Sequence, residues 1–155
     1  MPRQPPPDWL LTDHRGRRAR LTTRLQGQVT AVQLMFTGCS STCPVQGAVF
    51  ADVAGRIRAK DIRLLSLSVD PLGDDPKALD AWLDRFGRPQ CWSAAAPGLD
   101  DVEPLASFLR GQARPNSSHS TQVFLFDRQA RLAFRTVDLP SAEHVADLLA
   151  QLARA

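Results

Sequence analysis

A chain of 155 residues with 43% apolar content has enough mass to bury one core as one domain, so neither a metal nor a disulfide is needed merely to hold it together. Its 19 basic against 16 acidic residues leave a formal charge of +3, a surplus too small to argue for a nucleic-acid partner. Three cysteines exclude a multi-bridge secreted scaffold, and no run of about 18 apolar residues is present to span a membrane.

Residues 1–8, Met1-Pro2-Arg3-Gln4-Pro5-Pro6-Pro7-Asp8, lack the apolar core of a signal peptide and read as a stiff, extended leader. Residues 9–155 read as a single domain, without internal repeat or boundary. Trp9-Leu10-Leu11-Thr12 and Ala19-Arg20-Leu21-Thr22 flank Asp13-His14-Arg15-Gly16, turn chemistry that predicts an N-terminal β-hairpin. The basic run Arg15-Gly16-Arg17-Arg18-Ala19-Arg20 falls in that hairpin and reads as a solvated turn rather than a phosphate-binding patch.

Val29 to Phe36 is a nearly continuous apolar run, as expected of a strand covered on both faces. From Pro44 to Lys60, Val45, Val49, Val53 and Ile57 recur every four positions and predict the buried face of a helix. Ile62 to Val69 follows as a second buried strand, completing a βαβ unit. Asp75 and Pro76 supply the cap and first turn of a helix that reaches Phe86 and stops at Gly87.

Cys91-Trp92-Ser93 reads as a short strand, Val102 to Arg110 as a short helix, and Gly111 to Ser118 as irregular chain. Thr121 to Phe126 and Arg131 to Arg135 predict strands about Asp127-Arg128-Gln129-Ala130. A closing helix begins at the cap Ser141, with Val145, Leu148, Leu149 and Leu152 on its apolar face. This order predicts an α/β domain with a thioredoxin-like three-layer fold and an N-terminal β-hairpin.

The chemistry concentrates where the first central strand breaks into its helix, at Thr37-Gly38-Cys39-Ser40-Ser41-Thr42-Cys43-Pro44. Proline is tolerated in a first helical turn, so Cys43 sits at or beside a helix N-terminus, whose dipole favours thiolate over thiol. Positions i and i+4 of a helix lie roughly 6 Å apart at the backbone, within reach of a disulfide and also of a shared metal ion. The residues alone leave a redox pair and a metal site both open.

A soft metal such as copper(I) would want a third donor. His14 falls in the hairpin turn and His144 in the first turn of the last helix, both ordinary surface positions. His119 stands out in Asn116-Ser117-Ser118-His119-Ser120, a polar loop just before a buried strand whose entry lies beside the cysteine loop in a thioredoxin-type sheet. Two cysteines and one histidine would suit copper(I) and leave room for an added ligand on copper(II). Cys91, next to Trp92, reads as structural.

Phe36-Thr37-Gly38-Cys39-Ser40-Ser41-Thr42-Cys43-Pro44, Leu67-Ser68-Val69-Asp70-Pro71 with Asp75-Pro76 behind it, and His119-Ser120 leading into Phe124-Leu125-Phe126-Asp127 resemble the Sco/SenC copper proteins in order and spacing. The resemblance runs from about Trp9 to the last helix. It implies a thioredoxin-fold domain, outside the cytoplasmic membrane, that binds copper through Cys39, Cys43 and His119. Members assist assembly of the binuclear copper site of cytochrome c oxidase, by handing over copper or by reducing that site's cysteines. The family often has histidine where this chain has Gly38, and aspartate where it has Ser41 and Ser118, so the surroundings here are less acidic.

The expected function is therefore a copper metallochaperone whose partners are the copper-site subunit of cytochrome c oxidase, or another copper acceptor, and a periplasmic copper or thiol donor. The expected location is the periplasmic side of a bacterial inner membrane, the proline-rich leader resembling a spacer from an anchor. The alternative is a thiol-disulfide reductase that uses only Cys39 and Cys43 as its catalytic pair, and this is the one enzymatic reading retained. A thiol peroxidase would want an arginine beside the motif, and none flanks it, although Thr37 and Thr42 are present.

Overall fold

The computed structural model describes residues 3–111 and 120–155. The described strands are β1 (Leu10–Asp13), β2 (Arg18–Arg20), β3 (Val29–Met35), β4 (Ile62–Ser68), β5 (Trp92–Pro97), β6 (Val123–Phe126) and β7 (Leu132–Arg135). They form one sheet in the order β2-β1-β5-β4-β3-β6-β7. The three central strands β3, β4 and β5 are parallel, and the flanking pairs are antiparallel hairpins.

Helices cover both faces, which is why all seven residues of β3 are buried. One face packs α2 (Cys43–Arg56), α3 (Pro76–Asp84) and α5 (Ala142–Arg154) against Val29, Ala31, Leu64, Trp92 and Leu125. The other packs α1 (Leu21–Leu25) and α4 (Val102–Arg110) against Val32, Leu34, Leu67, Phe124 and Phe126. Alternate strand residues serve alternate faces, as a pleated sheet requires. The three-layer α/β architecture with an N-terminal hairpin is as expected from the sequence.

Asp75 caps α3 by accepting the Ala78 N–H at 2.8 Å, and Ser141 caps α5 by accepting the His144 N–H at 3.1 Å. Two expectations are corrected. The second hairpin strand ends at Arg20, and Leu21–Leu25 is a short helix instead, because its i and i+4 leucines bury together. The buried side of α2 is Cys43, Gln46, Gly47, Phe50 and Val53, whereas Val45 is half exposed.

Gln46 and Gly47 occupy core positions for separate reasons. Gln46 Nε2 donates to the carbonyls of Leu34 at 3.2 Å and Ser120 at 3.3 Å, so its amide nitrogen is bonded where it is buried, while its Oε1 has no partner among the described residues. At Gly47 the Phe86 ring approaches so closely that a Cβ would meet its atoms at 2.2 to 2.8 Å. The first described residues lie against the end of the sheet: Gln4 bridges Leu132, and Arg3 pairs with Asp127 at 3.1 Å.

Candidate functional site

β3 ends at Met35, and its chain turns through Thr37 and Gly38 into α2, whose first residue is Cys43. Pro44 lies in the first turn, no acidic residue offsets the dipole there, and the Thr42 hydroxyl turns toward Cys39 Sγ, at 4.0 Å, rather than capping the helix. The N-terminal field of α2 therefore acts directly on the two thiols. Cys39 is part-exposed and Cys43 is buried, so one sulfur faces solvent and the other backs it from within.

The two thiols hydrogen-bond to each other, and this makes them unequal. Burial pushes Cys39 up, but hydrogen bonds from the Cys43 thiol, the Cys43 and Ser41 backbone and the Ser41 hydroxyl outweigh it and lower the group from 9.0 to about 6. Burial and the adjoining Cys39 sulfur raise Cys43 to about 12, against a smaller opposing bond from the Phe36 backbone. At neutral pH the pair holds one thiolate, on the accessible sulfur, sharing the proton of the other. The Ser41 hydroxyl lies 3.7 Å from Cys39 Sγ, a neutral donor beside the thiolate.

The loop carrying Cys39 is fixed from β4. Met35 pairs with Ser68 in the parallel register, which brings the chain after β4 alongside Thr37. There the carboxylate of Asp74, 2% exposed, accepts the Thr37 N–H at 3.0 Å, the Thr37 hydroxyl, and the Ser68 hydroxyl at 2.6 Å. Ser68 in turn accepts the Asp70 N–H at 3.0 Å, which shapes the Asp70-Pro71 turn. Asp74 was not legible as a site residue in the sequence. Its neighbour Asp75 carries the helix-cap signal, and no local pattern marks Asp74 as the partner of Thr37.

A second polar chain runs under α2. Trp92 Nε1 donates to Ser66 Oγ at 2.9 Å, and Ser66 donates to Gln33 Oε1 at 2.7 Å. Gln33 donates to the Gln46 carbonyl at 3.3 Å, and the Gln46 side chain reaches Ser120. Ser120 is thus tied to the first turns of α2, three residues beyond Cys43.

The remaining candidates divide clearly. His119 lies outside the described residues. His14 directly follows β1, three strands across the sheet from β3 and its cysteine loop, and faces the Ala94 N–H of β5 at 3.5 Å. His144 is exposed on α5, whose N-cap is Ser141. Cys91 precedes β5 at the end of the parallel strands opposite the cysteine loop, its carbonyl bonded to Leu64 N at 2.8 Å, and burial raises its thiol. Among the described residues no group of three His, Cys, Asp or Glu side chains is placed to hold a metal ion.

The SCO1/SenC family model matches residues 3–154. The chain belongs to the SCO1/SenC family. A SCO1 protein homolog from Bacillus subtilis (strain 168) is 39% identical over 57 residues, a match spanning 36% of this chain and 30% of that relative. The SCO1/SenC family lipoprotein from Bacillus anthracis str. Ames superposes with a TM-score of 0.82 at 23% identity, covering 97% of this chain and 96% of the other. Bradyrhizobium japonicum ScoI, solved with copper bound, superposes with a TM-score of 0.78 at 19% identity over 96% and 99% of the two chains. These likenesses establish the thioredoxin-like Sco fold for this chain.

Proposed function

We propose that this Sco protein is a copper-binding assembly factor that holds copper through Cys39, Cys43 and His119 and passes it to the copper-site subunit of cytochrome c oxidase or a related acceptor. The observation that carries this reading is the unequal thiol pair at the start of α2. An accessible thiolate backed by a buried thiol gives two soft sulfur donors on one side of the site, the donor type copper(I) selects. Binding copper would release the proton shared by the pair, since sulfur ligates as thiolate.

The tie from Gln46 to Ser120 supports His119 as the third donor, because Ser120 is its neighbour in sequence and approaches the same end of α2. Copper in the Bradyrhizobium ScoI structure supports the choice of metal. The lipoprotein description of the Bacillus anthracis relative supports an anchored position on the outer side of the inner membrane, with a periplasmic copper or thiol donor upstream. Domain limits of 9–155, behind a leader of 1–8, belong to the same reading.

The pKa asymmetry also favours a second reading, a thiol-disulfide reductase. The Cys39 thiolate would attack one sulfur of an acceptor disulfide, releasing the other as thiolate. Cys43, giving up its proton, would then close the Cys39–Cys43 disulfide and release the acceptor as a dithiol, two electrons passing to it in all. Titration of reduced protein with copper(I) against a competing chelator tests the copper reading. One tight equivalent per chain, lost when the pair is oxidised, is expected, whereas binding no tighter than that of an exposed dithiol peptide would overturn it.

A further inference from the structure

A cavity of about 410 Å³ opens at the pole of the sheet opposite the cysteines, where β3, β4 and β5 begin. Five arginines line it: Arg15 and Arg17 from the β1–β2 turn, Arg24 from α1, Arg63 from β4, and Arg88 from the chain after α3. Against them stands one lining carboxylate, Asp13, which is 5% exposed and already engaged. It accepts the N–H groups of Arg15 and Arg17 at 2.9 Å each and Arg24 Nη2 at 2.6 Å. Asp80 and Asp84 hold Arg88 from the side of α3, while Arg15, Arg17 and Arg63 form no ion pair among the described residues.

Two buried donors at this cavity have no hydrogen-bond partner. They are the hydroxyl of Thr30, a residue 2% exposed, and Nε of Arg24. Buried donors left unmatched are costly, and so is gathering like charge around a hollow, unless an anion completes both. Guanidinium forks match phosphate oxygens two at a time, and Arg15, Arg17 and Arg63 line the cavity from two chain segments with no carboxylate of their own, which suits a multiply charged tetrahedral group better than a planar carboxylate.

We propose that this cavity binds a phosphate-class anion, carried either by a free phosphorylated small molecule or by the headgroup of an anionic lipid. The volume admits a pyrophosphate-sized or larger group. Half of the basic run that reads as a solvated turn in the sequence is thereby given a ligand: Arg15 and Arg17 line the cavity, while Arg18 and Arg20 do not. The site is independent of the copper reading, lying at the far end of β3, roughly 20 Å along a seven-residue strand.

The test is calorimetric titration of the full chain at low ionic strength in chloride buffer, with pyrophosphate and separately with phosphatidylglycerol vesicles. Pyrophosphate is expected to bind saturably at one site. The Arg17→Gln/Arg63→Gln pair should weaken it at least tenfold, and Arg18→Gln/Arg20→Gln, with the same loss of charge, by less than twofold. Vesicle binding that pyrophosphate displaces assigns the headgroup as the source, and pyrophosphate binding without vesicle binding assigns a free ligand. Equal weakening by both pairs, vesicle adsorption that pyrophosphate does not displace, or no saturable binding of either probe would overturn the proposal.

Discussion

The buried carboxylate of Asp74 grips Thr37 twice, by main chain and by hydroxyl, and so pins the loop two residues before Cys39 to the end of β4. With Ser68 as its third donor, the carboxylate joins the Ser-Val-Asp-Pro segment to the cysteine loop. Replacing Asp74 by Ala leaves three donors unmatched in a nearly dry setting, which should cost about 2 to 4 kcal/mol of stability. Cys39 should also lose its low pKa as the loop loosens. Urea unfolding and the pH dependence of Cys39 alkylation measure the two effects, and Asp74→Ala with wild-type values in both would show that the tie is incidental.

Cys39 alkylation in reduced protein should titrate with a midpoint near pH 6, with Cys43 unreactive until far higher pH. Because the folded Cys39 value lies below its ordinary 9.0, the unfolded chain binds more protons between pH 6 and 9, and stability rises across that window. That contribution is lost as pH falls through 6. Cys43 acts oppositely: it is raised to about 12, so stability declines between pH 9 and 12 as the unfolded chain ionises and the folded one does not. Chemical denaturation against pH should show a rise that Cys39→Ser abolishes. Ser41→Asp should lift the Cys39 midpoint by about one unit, since a carboxylate would replace the hydroxyl 3.7 Å away.

Gly47→Ala should destabilise the domain by about 1 to 3 kcal/mol, because its methyl would drive into the Phe86 ring. That ring has little room to yield, being packed edge-on against Trp82 at 5.2 Å and tilted against Trp92 at 5.7 Å. Thermal unfolding is the readout. A neutral or stabilising result would mean that the aromatic cluster repacks freely.

The strand-helix-strand core and the helix terminus at Cys43 could be read directly from sequence, because continuous apolar runs, Pro44 and the Asp75-Pro76 cap each leave a local mark. The buried face of α2 could not. A strict four-residue row drifts around a helix of 3.6 residues per turn, so the Val45-Val49-Val53-Ile57 row overstated the burial of Val45. The true face includes Gln46 and Gly47, whose places depend on the Leu34 and Ser120 carbonyls and on Phe86. Leu21–Leu25 carries two threonines that favour strand, and burial of its paired leucines overrides that local preference. Asp74 and the arginine cavity depend on residues far apart in the chain, a relationship no local pattern records.

The central claim, a copper site of two unequal cysteines completed by His119, is tested most directly by copper(I) affinity of reduced His119→Ala measured by chelator competition, with Cys39–Cys43 oxidation followed by alkylation in the same sample. Loss of the only nitrogen donor should weaken copper binding by about ten- to a hundredfold or more while the disulfide still forms. Unchanged copper affinity in that variant would contradict the account and leave the thiol-disulfide reading in its place.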